Sequence, residues 1–192
     1  MKKKVDRKGK TNFFPTGEVA TYPKSILYLP RTSEPIEIGK YSIFGNMLHY
    51  TEDINWHLDI MNQKEFPQDF SFSIDTRSGK NGNVKVVWEV NRLQFLSDLC
   101  LKFHQTREQK YLTQFMGIIE SWKTQNPYLK GVNWYSNIEV NIRIINWFVC
   151  WEILQVNELV EENKEFEQFV ETTWLPLIEL HGRHAYRYES KY

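Results

Sequence analysis

The stretch GVNWYSNIEVNIRIINWF, residues 131–148, decides how the chain is read. A glycine-led loop runs into a segment with helical spacing that is apolar on most of its sides. Yet Asn137, Glu139, Asn141, Arg143 and Asn146 interrupt its first half, while from Trp147 to Leu154 the sole polar group is Glu152. Ser136-x-x-Glu139 has the form of a capping box, in which the hydroxyl accepts an orphan backbone N–H and the carboxylate reaches back to another. A helix is predicted from Ser136 to about Val156. Burying a charge without a partner costs several kcal/mol, so these polar groups must be paired or must line a wet cavity.

Working outward, the helical pattern covers most of the rest. A helix is predicted over 83–104, with Asn91, Gln94, Asp98, Lys102 and Gln105 as its solvent stripe. Another is predicted over 107–123, with Tyr111, Phe115, Ile118, Ile119 and Trp122 on one side. Asn126-Pro127 and Gly131 break it, and a fourth helical region over 158–188 should be broken or kinked at Pro176. Short links make neighbouring helices pack antiparallel. Residues 1–45, with Pro15, Pro23, Pro30 and Pro35, read as a basic tail and an irregular, partly extended lead-in; residues 46–82 read as a long ordered loop. The expected fold is mainly all-α, divided into a lead-in over 1–45 and a helical domain over 46–192.

The 83–104 helix shares the peculiarity of the Ser136 helix. Opposite its solvent stripe lie Leu96, Cys100 and Phe103, and earlier on the same side lie Arg92, Glu89 and Lys85. In the Ser136 helix, Cys150 and Leu154 are likewise preceded by Asn146, Arg143 and Glu139. Glu89 and Glu139 are 50 residues apart, as are Cys100 and Cys150, which suggests a repeated helical hairpin. Two readings stand side by side. In one, the charged flanks border a water-filled trench, with helix N-termini favouring an anion there. In the other, Glu89–Arg92 and Glu139–Arg143 are internal ion pairs that fix helix register.

Charge excludes an overall bias toward nucleic acid or membrane: Lys plus Arg equals Asp plus Glu at 24 each. Six cations fall in the first ten residues, a solvated tail or a polyanion-binding arm. No apolar run follows that tail as a secretory signal requires, and none is long enough to span a membrane, so no compartment is assigned. Cys100 and Cys150 sit in apolar patterns and read as reduced core residues, without metal-ligand spacing. The 7 Trp and 10 Tyr suit flat ligands such as sugar rings and large cores equally. No cofactor is expected.

The runs NVKVVWEVNRLQFLSDLCLKF and NPYLKGVNWYSNIEVNIRIINW closely resemble the N-terminal domain of heparinase II/III-type polysaccharide lyases. The matching positions are Val84, Lys85, Trp88, Glu89, Asn91, Arg92, Asn126, Pro127, Gly131, Val132, Asn133, Trp134, Ser136, Glu139, Arg143, Asn146 and Trp147. INWHLD is similar to a further family motif at Ile54, Trp56, His57 and Asp59, with Asn55 in place of the family's Asp. LHGRHAYRYES is similar to the segment that leads into the catalytic region. The resemblance covers roughly 41–192 and implies part of an incomplete α/α toroid, followed in the family by a β-sandwich. It implies β-elimination on an acidic, uronic-acid-containing polysaccharide. The family's neutralising Asn-Asn-His is expected beyond Tyr192, so the expectation is a substrate-groove portion inactive alone. The alternative is a non-catalytic helical domain binding carbohydrate or protein.

Candidate substrate-binding residues are Asn133 and Trp134, at the expected cleft rim, where Trp134 would stack on a sugar. Arg92 and Arg143 would offer planar forks to a carboxylate or sulfate, with Glu89 and Glu139 beside them. His57 resembles half of a catalytic pair with Asp59, or a loop histidine held in one tautomer by that carboxylate. His181 and His184 read as a polar face toward the cleft, with a metal site the lesser alternative because no third ligand is identifiable. No catalytic residue and no metal ligand is assigned.

Overall fold

Helices dominate residues 37–50 and 53–188, which the computed structural model of the protein describes. The basic tail and most of the lead-in lie outside the described residues. Strands β1 (Lys40–Ile43) and β2 (Asn46–His49) pair antiparallel, with Ile43 opposite Asn46. The two-residue turn between them, Phe44-Gly45, has positive φ at both positions, the geometry that matches strand twist. A second ribbon pairs β3 (Leu58–Asp59) with β4 (Lys64–Glu65), followed by a 3-10 turn at Ser71–Ser73. Residues 46–82 are thus built from short paired pieces as well as loop.

The helix predicted over 83–104 is two: α1 (Val84–Asn91) and α2 (Leu96–Thr106). They part at Leu93, whose φ of 57° no helix accommodates and whose side chain is fully buried. The break shifts the phase, so Asn91, expected in the solvent stripe, lies in the core. α3 (Gln109–Gln125) follows after Arg107 in the left-handed region and packs along α2. A 3-10 turn at Val132–Trp134 leads into α4 (Asn137–Leu154).

The expected fourth region starts early, at α5 (Val156–Glu162), and breaks at Asn163. The Asn163 side chain accepts from the Phe166 amide, 3.0 Å, and caps α6 (Lys164–Phe169). A π-helical turn, Val170–Trp174, then joins α6 to α7 (Leu175–Arg187). Pro176 follows this π turn directly, and the wider turn gives room to a ring that would clash one turn back in a regular α-helix. The expected kink there takes the form of the wider π turn.

Tryptophan fills the core. Trp56, Trp122, Trp134, Trp147, Trp151 and Trp174 are buried, which decides the compositional ambiguity for six of the seven toward packing. Trp122 is central, with Trp134 and Trp147 edge-on at 5.8 and 6.1 Å. α4 packs on α2 and α7. The expected apolar faces hold: Leu96, Cys100, Phe103, Phe115, Ile118, Ile119, Cys150 and Leu154 are buried, and both cysteines are free thiols. Burial pushes the Cys100 thiol well above its ordinary range. No helix among the described residues is long and apolar enough to cross a membrane.

Candidate functional site

The polar half of α4 answers to the end of α1. A helix leaves its last carbonyls without partners, and a cation near that end is favoured by the backbone dipoles. Arg143 Nε donates to the Asn91 carbonyl at 2.7 Å, and Asn146 Nδ2 donates to the Arg92 carbonyl at 2.7 Å. Two side chains from α4 therefore terminate α1. This is why the continuous helix predicted over 83–104 does not form.

Arg92 itself turns outward and is held by two carboxylates. Its Nε and Nη2 meet Glu139 Oε2 and Oε1 at 2.7 and 3.0 Å, a bidentate fork, and its Nη1 bonds Glu89. The hydrogen bond to Glu139 raises the Arg92 pKa further. Glu139 is thereby committed across to α1. The expected capping box does not form: Ser136 makes no side-chain cap bond. Nor is there a Glu139–Arg143 pair. The Arg92 side chain is 27% exposed, Glu89 17% and Glu139 7%, whereas Arg143 is fully buried. These residues form an interlocked joint in which Arg92 and Glu89 keep part of their surface exposed, and Lys85 points to solvent outside it.

Arg143 anchors an inner network. Nη2 donates to the Asn133 carbonyl at 3.3 Å, Nη1 to His181 Nε2 at 2.9 Å, and the guanidinium lies 4.4 Å from the Trp122 ring centroid. Burial pushes its pKa down to about 9, which leaves it charged at neutral pH. His181 Nδ1 donates to the Leu177 carbonyl at 2.8 Å, so Nε2 is the unprotonated nitrogen that can accept from a cation. Burial, and then Arg143, hold His181 well below its ordinary pKa. His184, one turn on, is pushed down to about 4 by burial and Arg143. His181 spends its Nε2 on a guanidinium, which disfavours a metal there; no cluster of three potential metal ligands occurs among the described residues.

Asparagines complete the centre. Asn91 Nδ2 donates to the Trp56 and Val87 carbonyls, both at 2.8 Å, and its Oδ1 accepts from Trp122 Nε1 at 2.7 Å. Asn133 Nδ2 donates to Asn126 Oδ1 at 2.8 Å and to the Trp56 carbonyl at 3.1 Å; Trp134 Nε1 donates to the Asn126 carbonyl at 3.2 Å. Asn133 and Trp134, expected at a cleft rim, are fully buried, and Trp134 packs against His181 at 4.5 Å. Trp134 has no face for a sugar.

His57 is equally enclosed. Its Nε2 donates to the Gln125 carbonyl at 2.8 Å, so a backbone oxygen fixes its tautomer, not Asp59. Burial lowers its pKa. The Asn55 side chain accepts from the His57 amide at 3.0 Å, a turn that asparagine and aspartate make alike. Asp59 instead takes the Asn83 amide at 2.7 Å, beside the start of α1, and the Asn62 side chain at 2.7 Å. Burial pushes its carboxyl up, but these bonds together outweigh that and hold it below the usual carboxylate range.

Gly131 closes over His57. Its φ of 75° and ψ of 172° belong to a region essentially restricted to glycine, and a Cβ there would stand 2.6 Å from His57 Cε1. Gly131→Ala is expected to lose about 3 kcal/mol through backbone strain and overpacking. A urea midpoint equal to wild type would contradict that geometry.

The seven sequence candidates therefore come together, but as a joint and its support. Arg92 and Glu89 stay partly accessible; Glu139, Arg143, Asn133, Trp134 and His57 are buried. Sequence reasoning missed the aromatics that do reach the surface, among them Phe70, Phe72 and Tyr128. Phe70 and Phe72 lie at the 3-10 turn before α1 and Tyr128 in the loop between α3 and α4, where no periodicity signals them. The family profile described as Heparinase II/III N-terminus matches residues 37–187. No match is found among curated proteins or solved structures. The match spans nearly all the described residues, from the first hairpin to the end of α7, and the chain belongs to the heparinase II/III N-terminus family.

Proposed function

We propose that this chain is the N-terminal helical portion of a polysaccharide lyase that cleaves uronic-acid-containing polysaccharides by β-elimination, and that it forms part of the substrate groove. The observation that carries the reading is the family match over residues 37–187. In such a reaction a donor neutralises the uronate carboxylate, a base takes the C5 proton, and the 4-linked sugar leaves with a proton from an acid. His57, His181 and His184 are buried with lowered pKa values, and Arg92 is saturated by carboxylates. These groups suit architecture better than proton transfer, so this portion supplies binding and support. Asn133, Trp134 and His57 then act by holding the loop between α3 and α4.

The interlocked Glu89–Arg92–Glu139 joint also favours a second reading, a non-catalytic helical domain that binds carbohydrate or protein. Two measurements on the chain separate them. Acidic and neutral oligosaccharides are titrated for binding, and uronate polymers are incubated while the ultraviolet absorbance of unsaturated uronate is followed. The expected result is binding selective for acidic glycans without turnover. Steady turnover would contradict the division of labour, and binding only of neutral sugars would favour the second reading.

A further inference from the structure

We propose that Phe72, Tyr135 and Tyr188 form a stacking platform for a pyranose ring of an acidic oligosaccharide, with Arg187 as the cation at its edge. The proposal rests on the reading of this chain as a glycan-groove wall and names the surface that makes contact. Phe72 is the hub, 40% exposed, with its ring 6.1 Å from Tyr135 and 5.1 Å from Tyr188. Phe70 meets it edge-on at 5.7 Å, and Trp88 lies stacked 6.3 Å from Tyr135. Four separate parts of the chain thus bring aromatic rings to one surface: the turn at Ser71–Ser73, the residue after the Val132–Trp134 turn, α1 and the end of α7.

The platform is held rigid from behind. The Ser71 amide donates to the Leu129 carbonyl at 2.8 Å, the Gly131 amide to Asp69 at 2.9 Å, and Trp88 Nε1 to Val132 at 3.0 Å. Rings fixed in place give up little side-chain entropy when a flat ligand stacks on them. An exposed aromatic cluster of this kind marks an interaction surface.

A second observation points to a polar ligand. His184 lies under this surface, its ring 4.6 Å from Tyr188 and 5.8 Å from Tyr128, fully buried, with neither ring nitrogen bonded to a protein group. Buried polar atoms ordinarily have partners, and a sugar hydroxyl entering between Tyr128 and Tyr188 would supply one. Arg187 is exposed with its guanidinium 5.7 Å from the Tyr188 ring centroid, placed for a carboxylate or sulfate. Rings, an unbonded imidazole and a cation match an acidic sugar. The exposed stripe Ile138, Ile145 and Phe148 on α4 offers none of that polar chemistry.

The test is titration of uronic-acid oligosaccharides, sulfated and unsulfated, and neutral ones, into the full chain. Wild type is compared with Phe72→Ala/Tyr135→Ala, Arg187→Gln and, as a control, Tyr186→Ala, whose ring is 83% exposed. The double variant should bind at least about tenfold more weakly. Arg187→Gln should weaken acidic ligands alone, and Tyr186→Ala should match wild type. A double variant with wild-type circular dichroism and wild-type affinity would overturn the platform and leave the groove reading standing. Wild type binding no glycan defeats both, and a double variant that loses only self-association would reassign the surface to contacts between copies.

Discussion

Replacing Arg143 with alanine is expected to remove about 3–5 kcal/mol of stability, the range for breaking a buried charged interaction. That is a large share of the total stability of an ordinary domain. The guanidinium is fully buried and serves three acceptors at once: the Asn91 carbonyl, the Asn133 carbonyl and His181 Nε2. Alanine leaves all three in a dry interior without their donor, and each unsatisfied group adds its own desolvation penalty. It also opens a void against Trp122, which the guanidinium covers at 4.4 Å. Arg143→Lys keeps the charge but has a compact ammonium in place of a planar fork, so it should recover only part of the loss. Chemical denaturation reads both, and an Arg143→Ala midpoint near wild type would show that the network contributes little.

Acid is expected to weaken the fold well before carboxylates titrate. Burial holds His57, His181 and His184 below the ordinary histidine range, and Arg143 adds repulsion for the last two; His184 is pushed down to about 4. In the unfolded chain each takes a proton near pH 6.5. Below that pH the unfolded state binds more protons than the folded state, so stability falls as pH drops toward the folded values. Above pH 6.5 the contribution is complete. Between pH 7 and 5 a loss on the order of 2 kcal/mol or more is expected. Asp59, held low by its hydrogen bonds, gives up its own contribution only at still lower pH. Urea midpoints across this window should slope, and His184→Gln should flatten the slope. A level wild-type profile would contradict neutral buried histidines.

The parts of the fold legible in the sequence were those set by local periodicity. Phe115, Ile118, Ile119 and Trp122 marked the buried face of α3, and Leu96, Cys100 and Phe103 that of α2, because spacing alone puts them on one side. The break at Leu93 was not legible. Its cause lies some fifty residues later, where Arg143 and Asn146 take the carbonyls that end α1. Ser136-x-x-Glu139 misled for the same reason: Arg92 offers Glu139 two charge-assisted bonds, a better partner than one backbone amide. The charged flanks were correctly seen as needing partners. Which partners they found depended on the packing of α1 against α4, which no spacing encodes. Trp134 is in the core because the Asn126-to-Gly131 loop folds back over His57, again a tertiary contact. The surface rings at Phe72, Tyr135 and Tyr188 share no period at all.

Nitrogen-15 NMR of the imidazole of His181 tests most directly whether the polar flanks form a closed joint. The closed joint predicts a neutral ring protonated on Nδ1, with a proton-free Nε2 facing Arg143, unchanged from pH 7 to pH 5. An imidazole that titrates near its ordinary value, or carries its proton on Nε2, would place water where the buried guanidinium should be and contradict the closed joint.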